Sequence, residues 1–350
     1  MKYYSDLVKA FRQLAEEQLW DQIDDSFLVG IRSKKDSQIY WCSLMGKAKD
    51  VYGFAMYKAS KGLRVFQSIL ENPDSAADPE LRPNQDMILF CLDPEEFFSA
   101  PQQEFVQFHE SSLFSDDMYL IPSRMKPGFP ESICTEDELK LGLDLLDTFV
   151  GFLKSSRKDN LDLEEDALVL LPEDGACIDD WREYSIESYM LLEDAEAPDD
   201  IPLPQVDLTS IEGLNLEGTI WEIHCCYAPF VVEDGPKGAY HPEMILILNK
   251  DQAQIIGHEI FEFEQLSNEK LIHKVTETIA AAGYLPCEIE VKTKKLHHLM
   301  ARMLESHGVD INLVEKLPMI TDCLQSMAEQ FMHQHHSHEH HDCCAQGTCG

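Results

Sequence analysis

The chain has 350 residues, 44% of them hydrophobic, and carries 28 Lys and Arg against 64 Asp and Glu, a net charge of −36. That length is enough for about two domains with sizeable cores. So acidic a composition argues against general binding of phosphate backbones or anionic membranes, so neither nucleic acid nor membrane is an expected partner; cations or a basic protein partner suit it better.

Lys2 to Trp20 has Leu7, Phe11 and Leu14 at helical spacing and no signal-peptide core. Phe27–Ile31, Ile39–Met45 and Val51–Tyr57 read as strands, Gly62–Leu70 as a helix, and Met87–Leu92 and Tyr119–Pro122 as further strands. Asp93, Glu95 and Glu96 read as a helix start. After the turn at Lys126–Pro130, Thr135 and Glu138 form a T-x-x-E capping box. The helix behind it runs to about Ser155, with Leu139, Leu143, Leu146, Phe149, Val150 and Leu153 on one face.

Residues 159–200 hold sixteen acids and one base, Arg182, interrupted by apolar runs at Ala167–Leu171 and Tyr184–Leu192. Glu193–Pro204 (EDAEAPDDIPLP) is acidic and contains three prolines, which predicts a semi-rigid linker at 194–205. The expected layout is an α+β domain at 1–193, that linker, an α/β domain at 206–332 and a tail at 333–350.

In the C-terminal part, Thr219–Val232, Met244–Leu248 and Ala253–Phe263 read as three strands, the last two a hairpin. Leu266–Ala282 is a helix through Leu271, Val275 and Ile279, with Ser267 as its cap and Gly283 as its stop. Cys287–Val291 is a strand, and Leu296, Leu299, Met300, Met303 and Leu304 form a helical face ended by Gly308. Val309–Val314 is a last strand, and Pro318 starts a helix with Ile320, Leu324, Met327 and Phe331 on one face. The order βββαβαβα implies parallel crossovers with helices covering the sheet. In order of elements this part resembles the ribonuclease-H-like fold, a three-layer α/β architecture.

The stretch FLVGIRSKKDSQIYWCSLMGKAKDVYGFAMYKASKGLRVFQSIL, with SRMKPGFPESICTEDELKLGLDLL, resembles the N-terminal half of a bacterial family of paired domains of unknown function. PEMILILNKDQAQIIGHEIF and GVDINLVEKLP resemble its C-terminal half. The resemblance covers most of residues 20–331 and implies a fold pairing and a bacterial cytosolic setting. It implies no activity, because its motifs are turn glycines and strand patterns. Eleven cysteines, an odd number, without an export signal also read as reduced thiols in a cytoplasm.

A ribonuclease-H-like nuclease needs carboxylates converging on two Mg²⁺ ions. The candidates by position are Glu222, Glu277, Glu290 and Asp322. Against them, Lys292, Lys294 and Lys295 follow the fourth strand, where a cation would sit, and Asn249 stands where an integrase-type site has aspartate. A domain that keeps the scaffold without the site is therefore the expectation, a non-enzymatic accessory or binding protein, with metal-dependent phosphoryl transfer as the alternative. His224 and Cys226 share one strand face while Cys225 points away, so a Cys/His dyad is open on spacing, but a buried strand with incidental thiols is the simpler reading. His297 and His298, near Lys294 and Lys295, read as a solvated basic patch.

The tail HQHHSHEHHDCCAQGTCG packs six histidines and three cysteines into 18 residues. His333, His335, His336, His338, His340, His341, Cys343, Cys344 and Cys349 are candidate ligands for Zn²⁺ or Ni²⁺, because imidazole and thiolate suit borderline and soft transition metals. No CxxC pair is present, so the pattern is not a zinc finger; it resembles the His-rich extensions of metal chaperones and storage proteins.

Overall fold

The computed structural model describes residues 2–71, 78–108, 113–115, 118–156, 167–171, 182–186, 189–190, 208–233, 235 and 238–339. The linker at 194–205 lies outside them, as do tail residues 340–350 and the side chains from 332 on. The chain divides into two compact units. The first comprises 1–76, 85–127 and 131–197; the second comprises 77–84, 128–130 and 198–350. Two short segments of the N-terminal half, 77–84 and 128–130, thus belong to the second unit. This is a mixed α/β protein with one sheet in each unit.

The first unit contains α1 (Lys2–Glu16), β1 (Leu28–Arg32), β2 (Ile39–Met45), β3 (Tyr52–Lys58), α2 (Ala59–Glu71) and β4 (Met87–Pro94). It continues with α3 (Ala100–Phe108), β5 (Leu113–Ser115), β6 (Met118–Met125), β7 (Ser132–Ile133), α4 (Glu136–Ser156), β8 (Ala167–Leu170) and β9 (Arg182–Ser185). The strands run in the order β5-β6-β4-β3-β2-β1-β8-β9, with β7 paired to β6. Among the described residues of this sheet only the β1–β8 pairing is parallel. Strand alternation gives each face its own core. Val29, Cys42, Phe54 and Phe90 pack against α1 and α4, while Leu28, Trp41, Ala55 and Tyr57 pack against Leu63 and Phe66 of α2.

The capping box forms as the sequence predicts: Glu138 Oε2 accepts the Thr135 N–H at 2.8 Å, and Thr135 Oγ1 accepts the Glu138 N–H at 3.3 Å. The buried face of α4 is broader than predicted and includes Leu145 and Phe152, leaving Leu143 and Val150 half-buried. α3, β5, β7 and β9 are not predicted from sequence, being short and weakly patterned. Asp93, Glu95 and Glu96 do not open an α-helix: Asp93 lies within β4, Glu95–Phe97 form a single 3₁₀ turn, and α3 begins at Ala100.

The second unit is built from β10 (Leu216–Tyr227), β11 (Glu243–Asn249), β12 (Gln254–Phe261), α5 (Asn268–Ala282), β13 (Leu285–Val291), α6 (Lys294–Leu304), β14 (Asp310–Leu313) and α7 (Pro318–Glu339). Its sheet order is β12-β11-β10-β13-β14. β10, β11 and β12 form an antiparallel meander, and β13 and β14 join parallel to β10. Trp221, Ile223, Ile245 and Ile247 face α5 and α6, while Cys226, Leu246 and Leu248 face Ile320 and Leu324 of α7.

The α5 ends are those predicted: Ser267 accepts the Lys270 N–H, and Gly283 stops the helix in the left-handed region at φ 78°. β10 starts and stops earlier than Thr219–Val232. Pro229 has no N–H for a ladder, and Val232 forms only an isolated bridge to Tyr240. Pro286 is tolerated inside β13 because its partner Glu217 lies where the register of β10 shifts. Among the described residues, no helix is long and apolar enough to cross a membrane.

Candidate functional site

The polar groups of the second unit gather on the sheet face under α7, toward the C-terminal ends of β10 and β13. Period-two alternation puts Glu222, His224 and Cys226 on that face. The parallel register sets Glu222 beside Glu290 and Ile223 beside Val291, so Lys292 emerges next to His224.

Glu222 is fully buried. Its carboxylate accepts the N–H groups of Met319 at 3.4 Å and Ile320 at 3.0 Å. These are orphan donors of the first turn of α7, so a strand residue performs the job of a helix cap. Burial pushes its carboxyl up, while those two N–H groups and Lys250 pull it down. Glu290 is engaged as well, with Lys250 Nζ 2.7–2.8 Å from its two oxygens. That contact raises the Lys250 ammonium above its usual range.

The remaining candidates lie elsewhere. Glu277 sits exposed on α5, over the opposite face of the sheet, and pairs with Lys274 at 3.0 Å. Asp322 is exposed on α7. The structure therefore brings together Glu222 and Glu290 but not Glu277. Among the described residues no group of three or more His, Cys, Asp or Glu is placed to hold a metal ion.

Two residues beyond the Glu222–Glu290 pair lies a second cluster, centred on Glu80 from segment 77–84. Glu80 Oε1 is 3.1 Å from His224 Nε2 and 2.7 Å from Lys292 Nζ. The side chains are 5% exposed for His224, 16% for Glu80 and 38% for Lys292, so the lysine is the most open of the three to water. Burial pushes the Glu80 carboxyl up, but the hydrogen bonds and charges of His224 and Lys292 outweigh it and bring it down to about 2. His224 Nδ1 is buried with no hydrogen-bond partner among the described residues.

Cys226, on the same strand face as His224, is buried. Burial, with Glu80, Cys225 and Cys323 adding to it, pushes its thiol far up, which suits a buried strand thiol better than a nucleophile. Cys225 packs on the other face, as its strand parity predicts. Lys294 and Lys295 are exposed at the start of α6, which Thr293 caps by accepting the Leu296 N–H at 3.2 Å.

Sequence reasoning missed Glu80. Nothing in DPELRPN separates it from the other acids, and its importance comes from a contact 144 residues away. Its depressed pKa makes a prediction. A carboxylate stabilised by folding contributes fully above its ordinary value of about 4.5, and the contribution is lost as pH falls from there toward 2. The shift has a ceiling of roughly 3 kcal/mol, and partial exposure of Lys292 brings the expectation to about 1–2 kcal/mol. Denaturant titration should find Glu80→Gln less stable than the parent by that amount at pH 7, with the gap closing between pH 4.5 and 2. A gap that stays constant with pH would mean that the ionised carboxylate contributes nothing.

Comparison with known families matches residues 4–171 to a domain of unknown function (DUF7309) and residues 210–328 to another domain of unknown function (DUF6930). No curated protein matches the chain. The protein thus carries two domains of unknown function, DUF7309 in its N-terminal part and DUF6930 in its C-terminal part.

Proposed function

We propose that this is a non-enzymatic bacterial accessory or binding protein of the cytoplasm whose C-terminal tail takes up Zn²⁺ or Ni²⁺. The observation that carries this is the tail composition, six histidines and three cysteines in residues 333–350. The acidic body supports it by raising the local concentration of cations. The cytoplasmic setting rests on the seven described cysteines of the two units, all of them free thiols. The metal content of untagged protein, with and without residues 333–350, tests the reading.

The second unit we read as a ribonuclease-H-like, three-layer α/β domain that has lost its catalytic site. Numbered from β10, its strands run in the order 3-2-1-4-5, with helices on both faces. The positions that would supply carboxylates are spent: Glu222 on the α7 N-terminus and Glu290 on Lys250. Metal-dependent phosphoryl transfer is kept as the second reading by one observation, that Glu222 and Glu290 stand side by side in register.

Neither half has a basic composition, with 42 acids to 19 bases through residue 205 and 22 to 9 after it. The expected result is no measurable DNA or RNA binding at physiological salt and no cleavage with Mg²⁺ or Mn²⁺. Salt-dependent micromolar binding, or cleavage abolished by Glu290→Gln, would favour the second reading.

A further inference from the structure

We infer that His224 and Lys292 form a binding site for a small oxyanion, a carboxylate or phosphate group, and that the Glu80 carboxylate of the same chain occupies it as a plug.

The arrangement has the chemistry of an anion site. Two nitrogens converge on one oxygen, at 3.1 Å from the imidazole and 2.7 Å from the ammonium. Contacts this short to an ionised acceptor are charge-assisted and about twice as strong as neutral ones. The imidazole is fixed in place because it projects from the middle strand of the sheet and is almost wholly buried. The lysine lies just past the end of a parallel strand and is partly open to water, which leaves a route for exchange. His224 Nδ1 is a second, buried polar atom that finds no partner among the described residues, although a buried polar atom without one is costly.

Glu80 is presented to this site by a turn that holds itself together. Its N–H donates to Asp78 Oδ1 at 2.7 Å, and its carbonyl oxygen accepts from Asn84 Nδ2 at 2.7 Å. Asn84 closes a further turn through its N–H to Leu81 O at 3.0 Å. The turn therefore does not depend on the Glu80 side chain for its shape. The Glu80 carboxylate reaches the imidazole and the ammonium, and its oxygen stands where an oxygen of the incoming anion binds. Two nitrogens on one oxygen suit a small oxyanion, so the class of ligand is acetate or phosphate, presented free or at the end of a side chain.

The test uses the full chain with Glu80→Ala, which empties the site. Thermal unfolding is followed in sodium acetate, sodium phosphate and sodium chloride at matched ionic strength. In Glu80→Ala, acetate or phosphate should stabilise the fold beyond chloride, raising the folded-to-unfolded ratio by roughly ten-fold at ten times the dissociation constant. The parent, whose site is filled, and Glu80→Ala/Lys292→Met, which lacks the ammonium, should respond to all three salts alike. A response to acetate alone assigns a carboxylate site and one to phosphate alone a phosphate site; either supports the inference. A folded Glu80→Ala that responds to neither anion beyond chloride overturns it and leaves Glu80 as a strut. Should Glu80→Ala not fold, Glu80→Gln keeps the shape while removing the competing charge. Phosphate or acetate should then move the ¹⁵N resonances of the His224 ring more in Glu80→Gln than in the parent, and equal shifts would overturn the inference.

Discussion

Removal of residues 333–350 is expected to strip the protein of its Zn²⁺ and Ni²⁺ while leaving the unfolding of both units nearly unchanged. An ordinary imidazole titrates near pH 6.5, so at pH 7 to 8 most of the six tail histidines are neutral and can donate a lone pair. Four ligands suffice for Zn²⁺, and the tail holds nine imidazole and thiol groups, so more than one ion per chain is expected. The helix α7 runs through Glu339, so the backbone of the first part of the tail is helical. Fixing several side chains around a metal costs rotamer entropy, which keeps the affinity moderate. Binding should disappear below about pH 5.5 as the histidines protonate. Calorimetric titration of the full-length and shortened proteins decides the matter. If the shortened protein keeps its metal, the ligands lie in the body of the protein and the tail assignment is wrong.

Gly142→Ala is expected to destabilise the first unit by about 1–3 kcal/mol, although alanine is the better helix former. Two effects compete at this position. In the interior of a helix, replacing glycine by alanine is ordinarily worth about 0.5–1 kcal/mol in stability. Here a Cβ on residue 142 would stand 2.2 Å from Cζ and 2.5 Å from Cε2 of Phe90. Phe90 is fully buried on β4 and packs edge-on against Phe11, so its ring has no solvent to move into. The steric cost therefore wins. Phe90→Leu removes the ring atoms that clash, so Gly142→Ala should cost far less in that background. Denaturant titration of the four proteins of the cycle measures this. A stabilising Gly142→Ala in the parent would show that α4 can shift away from the sheet at this point.

Residues close in sequence carried most of the secondary structure. The central strands of the first unit are buried on both faces, one against α1 and α4 and the other against α2, so IYWCSLM and YGFAMYK read as near-continuous apolar runs. Capping at Thr135 and Ser267, and the stop at Gly283, are likewise local chemistry. The short elements escaped notice: α3 buries little beyond Gln102 and Phe105, and β9 is a four-residue strand with only a weak apolar pattern. The linker at 194–205 and the tail ligands from His340 on lie outside the described residues.

The candidate site was far less legible. From spacing alone Glu222, Glu277, Glu290 and Asp322 are four acids on suitable elements, and nothing in the sequence tells which face of the sheet each helix covers. Three-dimensional packing does, by putting α5 on one side and α7 on the other. It also converts Glu222 from a candidate ligand into a helix cap, through two N–H groups about a hundred residues further along the chain.

By itself, then, the sequence determined what depends on neighbours within a few residues: strand and helix periods, caps, the acidic charge, and the metal-competent composition of the tail. The tertiary structure decided what depends on partners far along the chain. It turned Glu80 from one of 64 acids into the partner of His224 and Lys292, 144 and 212 residues away. It made Gly142 a point of close approach to Phe90 rather than a weak spot in a helix. The physical reason is the same in both cases. Periodicity and capping are short-range properties that the chain writes into its own order, whereas burial and charge pairing are properties of a place in space, which the chain reaches only once it has folded.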